Sequence, residues 1–156
     1  MSAVLQTTEA RFEPMTIDRL GPVLAIESQA YAFPWTQGNF VDSLSAGYEA
    51  QMLLDEHNGL LGYFLAMKGV GEVHLLNLTV APMHERQGWA RVMLDTLATW
   101  ARSERSHWLW LEVRLSNTRA QAIYECYGYR SVGERKNYYP AANGAREHAV
   151  VMCLQL

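Results

Sequence analysis

Apolar positions follow two periods along this chain, and the change between them organises it. From Glu72 to Val80 the residues Val73, Leu75, Leu76, Leu78 and Val80 favour a strand. From Gly88 to Arg102 the apolar residues Trp89, Val92, Met93, Leu97 and Trp100 fall at helical spacing. Ahead of this switch lie two further strand-like runs, Tyr48 to Leu54 and Leu60 to Lys68. They are joined by His57-Asn58-Gly59, a hairpin-type turn signal, and Gly69-Val70-Gly71 makes the next tight connection. The middle of the chain therefore reads as an antiparallel meander.

Before the meander, Arg11 to Met15 reads as a short strand. Thr16 is expected to cap a helix from Ile17 to about Ala30, with Leu20, Val23, Leu24 and Ile26 on its apolar side and Pro22 kinking or splitting it. Ala32-Phe33-Pro34-Trp35 is a loop. Thr36 then caps a second helix that carries Phe40, Val41 and Leu44 and ends near Gly47. After the first long helix come a strand from Trp108 to Val113 and a helix from Asn117 to Tyr127, stopped by Gly128. A strand from Tyr129 to Tyr138, a loop from Pro140 to Gly144 and a last strand from His148 to Leu156 complete the chain. The pattern predicts an α/β (α+β) domain, a meander followed by strand-helix-strand-helix-strand-strand.

Composition narrows the function. The 156 residues fit one domain, and 49% hydrophobic against 19% charged residues supply one core. A net charge of -3 counts against a general nucleic-acid binder. Cys126 and Cys153 read as small buried hydrophobes rather than a disulfide or a nucleophile. His57, His74, His84, His107 and His148 show no ligand spacing, and no metal is assigned. No apolar run reaches about 18 residues, so no membrane span is expected. Met1 to Gln6 lacks the basic and apolar regions of a signal peptide, and the expected location is the cytoplasm.

Three segments carry candidate chemistry. The strand ending at Val80, the loop Ala81 to Gln87 and the helix opening at Gly88 together can form an anion site. Free amides and the helix dipole would face an anion there, with Arg86 and Arg91 adding charge. From that segment alone, an ordinary helix start beside surface arginines is the stronger reading. In Leu109-Trp110-Leu111-Glu112-Val113-Arg114, a carboxylate within an apolar strand needs a partner or a task. Glu112 and Arg114 share a strand face, so a structural ion pair is the alternative to a functional role. In the helix after Ser116-Asn117, Tyr124 can aim its hydroxyl at a cleft or pack as an aromatic with a wet edge. Tyr138-Tyr139-Pro140 is an aromatic loop edge, either a peptide contact or a packed corner.

Taken in order and spacing, several segments resemble the GCN5-related N-acetyltransferase (GNAT) superfamily over nearly the whole chain. They are Ala32-Phe33-Pro34-Trp35, Asn77-Leu78-Thr79-Val80, Arg86-Gln87-Gly88, Leu109 to Asn117, Ala122-Ile123-Tyr124-Glu125 and Asn137-Tyr138-Tyr139-Pro140. More narrowly, the chain resembles the bacterial ribosomal-protein-alanine N-acetyltransferases. The resemblance implies a single domain over 1–156 with a mixed sheet of about six to seven strands, splayed at the cofactor site. It implies acetyl-CoA as cosubstrate, and as acceptor the N-terminal alanine of a small-subunit ribosomal protein, with no direct nucleic-acid or membrane partner. Leu78, Thr79 and Val80 would meet the acetyl and pantetheine part, and Arg86, Gln87, Gly88, Trp89, Ala90 and Arg91 the pyrophosphate. Asn117 would meet the pantetheine arm, with Glu112 as general base and Tyr124 as general acid. Phe33, Trp35, Tyr138 and Tyr139 lie on the loops from which a substrate pocket would be built. Lysine side chains or a small-molecule amine are alternative acceptors, and a non-catalytic acyl-CoA-binding module is a further alternative. Two departures stand out: Glu85 occupies a place where the superfamily usually has Gln or Arg, and Trp89 is bulky for its position.

Overall fold

The computed structural model describes residues 9–156; the expectation for Met1 to Gln6 lies outside the described residues. Seven strands form one mixed sheet: β1 Ala10–Pro14, β2 Glu49–Asp55, β3 Leu60–Lys68, β4 Glu72–Val80, β5 Trp108–Arg114, β6 Arg130–Pro140 and β7 Arg146–Gln155. Their spatial order is β1-β2-β3-β4-β5-β7-β6. Four helices accompany them: α1 Leu20–Ala30, α2 Gln37–Ser45, α3 Trp89–Ser103 and α4 Thr118–Tyr127. The expected elements are present, with small shifts of their ends.

The largest local difference is at the first helix. Ile17–Arg19 forms a separate 3-10 turn, and α1 starts only at Leu20. Thr16 caps neither; its hydroxyl donates to Asp18 Oδ1 at 2.6 Å instead. Pro22 sits in the first turn of α1, where a missing N–H costs no helical hydrogen bond. The second helix starts as its sequence predicts, with Thr36 and Asn39 forming a reciprocal capping box.

The sheet separates two apolar cores. On one face α1 and α2 bury Leu20, Val23 and Phe40 against Met52, Leu54, Tyr63 and Leu65 of β2 and β3. On the other face α3 buries Met93, Leu94, Leu97 and Ala98 against Phe64, Val73, Leu75, Leu109, Leu111 and Met152. At Gly62 an added Cβ would stand 2.5 Å from the Thr79 carbonyl oxygen and 2.9 Å from Met93 Cε. Glycine there lets β3, β4 and α3 approach closely.

Two irregularities in β4 shape the site. The register passes from Leu65↔Asn77 to Ala66↔Leu75, so Leu76 is an extra residue in the ladder. Val73 and Leu75 pack into the α3 core before it, and Asn77 and Thr79 face α1 after it. Second, β4 and β5 are parallel and paired only from Glu72↔Trp108 to Leu75↔Leu111. Beyond that point the two strands part, and the opening lies between the ends of β4 and β5.

Candidate active site

The cleft begins where β4 ends. After Val80 the chain makes a 3-10 turn, Pro82–His84, and reaches α3 through Arg86 at φ 62° and Gly88 at φ 90°. Gly88 is the left-handed N-cap of α3 and offers no side-chain cap. The first amides of α3 therefore have no acceptor within the helix. The space a Cβ would point into at Gly88 is open. Unpaired amides, an open approach and the positive end of a 15-residue helix make an anion cradle.

A cleft of about 730 Å³ extends from this cradle. Leu78, Thr79 and Val80 line it from β4, and Arg86, Gly88, Trp89, Ala90 and Arg91 from the start of α3. Asn117 and Tyr124 line it from the α4 side. Gln87 stands outside that lining, and its Oε1 accepts a hydrogen bond from Trp89 Nε1 at 2.9 Å. Asn117 also caps α4, accepting from the Ala120 amide at 3.1 Å. Glu85 lines the cleft too, but Arg119 of α4 donates to its carboxylate at 2.7 Å. The unexpected acid is thus neutralised beside the cradle by a residue from another element.

Three tyrosines line this cleft, Tyr31, Tyr124 and Tyr127, and the Tyr127 hydroxyl donates to Asp95 Oδ1 at 2.7 Å. Tyr124 is half-buried, its ring edge-on to Tyr129 at 5.6 Å. Burial, with lesser contributions from Tyr31, Tyr129 and Tyr139, holds its hydroxyl well above the ordinary tyrosine range. Tyr31 follows α1; its hydroxyl lies 2.7 Å from Thr79 Oγ1, and burial is the main cause that pushes it up to about 12. Sequence reasoning missed Tyr31. It also missed Glu27, a carboxylate only 1% exposed. Glu27 accepts from the Tyr63 hydroxyl, from Asn77 Nδ2 at 3.2 Å and from the Trp35 amide at 3.1 Å. Asn77 in turn accepts from Thr79 Oγ1 at 2.7 Å. One buried polar chain thus links the Phe33–Trp35 loop to the end of β4. The signal was present in the sequence, since Glu27 follows Leu20 and Val23 at helical spacing on the apolar stripe of α1.

Glu112 stands on β5 beside the parting of the strands, on the face opposite Leu111 and Val113. Its side chain is 7% exposed. Oε2 is hydrogen-bonded to His74 Nε2 of β4, and Oε1 lies 3.2 Å from Arg135 Nε of β6. The ion pair with Arg114 that strand periodicity allows does not form. Arg114 instead donates to Glu147 at 3.1 Å and to the Pro140 carbonyl at 2.8 Å. Its guanidinium lies over Tyr139 at 4.6 Å and over Phe33 at 5.4 Å. Arg135 lies over Tyr138 at 5.5 Å. Phe33, Tyr138 and Tyr139 thus border the Glu112 side of the opening. Trp35 turns away from that border and packs on Phe40 at 5.2 Å within the α1–α2 core. Among the described residues no group of three or more His, Cys, Asp or Glu stands together as a metal site.

A cleft that ends in a helix N-terminus, opened by two parted parallel strands, is the architecture of a family that transfers acyl groups from coenzyme A. Residues 21–129 match the acetyltransferase (GNAT) family. The chain belongs to this family and is an N-acetyltransferase. It is 36% identical over 131 residues to the [ribosomal protein bS18]-alanine N-acetyltransferase of Haemophilus ducreyi, covering 84% of this chain and 90% of that one. The Escherichia coli K12 enzyme of the same name is 34% identical over 84% of this chain and 87% of its own length. The crystal structure of the ribosomal-protein-S18-alanine N-acetyltransferase from Escherichia coli superposes with a TM-score of 0.85. It has 31% identity and 94% coverage of both chains.

Proposed function

We propose that this protein transfers the acetyl group of acetyl-CoA to the N-terminal α-amine of alanine on ribosomal protein bS18, in the cytoplasm. The observation that carries this reading is the position of Glu112. It is a nearly buried carboxylate beside the opening between β4 and β5, bordered by aromatic rings from the loop after α1 and from the end of β6. The two relatives named for that reaction, at 36% and 34% identity over most of the chain, support the acceptor.

The residues present fit acetyl-CoA. The open cradle at Gly88, with Arg86 and Arg91, suits a pyrophosphate, and the β4 edge at Leu78 to Val80 offers backbone groups to an extended amide arm. When bound there, the cosubstrate supplies an activated thioester. The remaining chemistry belongs to the chain. An N-terminal ammonium has a pKa of about 7.7–8.0 and must lose a proton to become a nucleophile. Glu112 takes that proton, directly or through one water. Backbone amides on the parted strand stabilise the oxyanion that develops as the amine attacks. Tyr124 donates its hydroxyl hydrogen to the departing sulfur. Tyr124 is favoured over Tyr31 because the Tyr31 hydroxyl is engaged by Thr79, whereas no partner holds the Tyr124 hydroxyl among the described residues.

The test is direct. The protein is incubated with acetyl-CoA and a peptide copying the bS18 N-terminus, beside the same peptide blocked at its α-amine, a lysine-containing peptide and a polyamine. One acetyl group on the α-nitrogen of the free peptide, located by tandem mass spectrometry, is the expected product. Acetylation of only the lysine or the polyamine would overturn the acceptor, and CoA binding without any transfer would overturn catalysis.

A further inference from the structure

We propose that His74 is the positioning residue of Glu112: its neutral imidazole holds the carboxylate in place through Nε2, and turnover requires that imidazole to stay uncharged. This inference rests on reading Glu112 as the base.

The geometry makes the two partners of Glu112 unequal. His74 sits within β4, on the face its strand position assigns it, and its side chain is 25% exposed. The imidazole has two side-chain torsions and a strand backbone on both sides. Arg135 has a longer and more flexible side chain and is 55% exposed. Of the two contacts, the histidine is the one that can hold a carboxylate at one orientation. A misplacement of about 1 Å in a reacting group can cost roughly a hundredfold in rate, so such holding has consequences.

Protonation changes what the pair does. A neutral imidazole donating from Nε2 uses one lone pair of Oε2 and leaves the carboxylate ionised, with other lone pairs able to receive a proton. An imidazolium adds a second positive charge to a carboxylate that already has Arg135 at 3.2 Å. Glu112 then becomes a weaker proton acceptor, and the acceptor's ammonium meets a site with less negative charge.

The other groups facing His74 do not offset this. From β5 it meets Glu112 and its register partner Trp110. From β3 the register partner is Met67, which carries no charge. From β6 come Arg135 and the hydroxyl of Tyr138, both near Glu112. From β7 comes the thiol of Cys153, opposite Trp110. On β4 itself the neighbour at period two is Glu72, which is exposed. Among side chains, histidine is the one whose charge ordinarily changes between about pH 5 and 8.

The test uses three variants of the full chain: H74Q, H74L and E112Q. Glutamine places an amide N–H where His74 presents Nε2–H, and it does not titrate. Each variant is assayed with acetyl-CoA and an alanine-terminated peptide between about pH 5.5 and 9, a window spanning the imidazole and α-amine ranges. Thermal melting and CoA binding are measured alongside. We expect H74L to lose about tenfold or more in kcat with CoA affinity unchanged. H74Q should regain most of that loss, and the acid limb of its kcat profile should lack one ionisation present in the wild type. If H74L does not fold, the H74Q profile decides alone. Wild-type kcat in H74L, or a wild-type acid limb in H74Q, would overturn the inference. E112Q separates the two failures. If E112Q collapses while H74L does not, the base reading stands and this one falls. If E112Q keeps full turnover, the base reading itself falls.

Discussion

The two sides of the opening between β4 and β5 are built by different means. The cradle side is made of consecutive residues, the end of β4, a turn with two positive φ values and the first turn of α3. Its chemistry is backbone chemistry: unpaired amides, a dipole and an open approach at Gly88. The Glu112 side is made of side chains from four separate places. His74 comes from β4, Arg135 and Tyr139 from β6, Glu147 from β7 and Phe33 from the loop after α1. A backbone site tolerates change in most of its side chains, whereas a side-chain site loses function with single substitutions.

That contrast can be broken by mutation, and the sharpest break is at Glu112. Replacing it with Gln removes the proposed base and leaves the cradle intact. Turnover should fall by about a hundredfold to ten-thousandfold, with CoA affinity unchanged by calorimetry. An equal loss of CoA binding would mean the two sides are not separable. Next in size is Glu27→Ala, which strands the Tyr63 hydroxyl, the Asn77 amide and the Trp35 N–H together. At about 1–3 kcal/mol for each unsatisfied buried group, a stability loss of about 3 kcal/mol or more is expected in urea unfolding.

Smaller effects belong to the cradle. A β-branched residue at Gly88 must adopt φ near 90°, at a cost of about 1–2 kcal/mol. Gly88→Val should weaken CoA binding about tenfold, and pre-steady-state transfer from saturating acetyl-CoA should change little. The smallest effect is expected from Glu85→Gln. Its ion pair with Arg119 is about half exposed, and such pairs contribute under about 1 kcal/mol. Removing the negative charge should tighten CoA binding about twofold to threefold at low salt, and the gain should fade as salt rises. A weaker affinity would mean that Glu85 serves the site chiefly by orienting Arg119.

How much of this was legible beforehand follows the same division. The strand-turn-helix around Gly88 could be read because its residues are adjacent and its signals, a period change and a glycine, are local. The meander, the Thr36 cap and the Gly128 stop were legible for the same reason. Partners could not be read. Periodicity placed Arg114 beside Glu112, but the fold brings His74 and Arg135 to the carboxylate and sends Arg114 to Glu147. Trp35 shares a loop with Phe33, yet their rings point to different places. Glu27 was legible as an anomaly on an apolar stripe, but the three groups that justify its burial come from β3, β4 and the loop before α2. Likewise Glu85 looked adverse in sequence because Arg119, 34 positions later, is what neutralises it.

The extra residue at Leu76 has a consequence of its own. His74 and Asn77 are an odd number of positions apart, and in an unbroken strand they would point to opposite sides. The insertion shifts the phase of β4 once, so a single strand supplies a partner for Glu112 in its first half and a partner for Glu27 in its second. With Leu76 removed, His74 and Asn77 would stand two positions apart, already on one face of a regular ladder. What the extra residue adds is therefore shape: a bulge bends and twists its strand, and this one falls one residue past Leu75↔Leu111, the last pair that joins β4 to β5. Deleting Leu76 would straighten β4 at that point and favour continued pairing with β5. The opening would narrow while the faces of the strand stayed as they are.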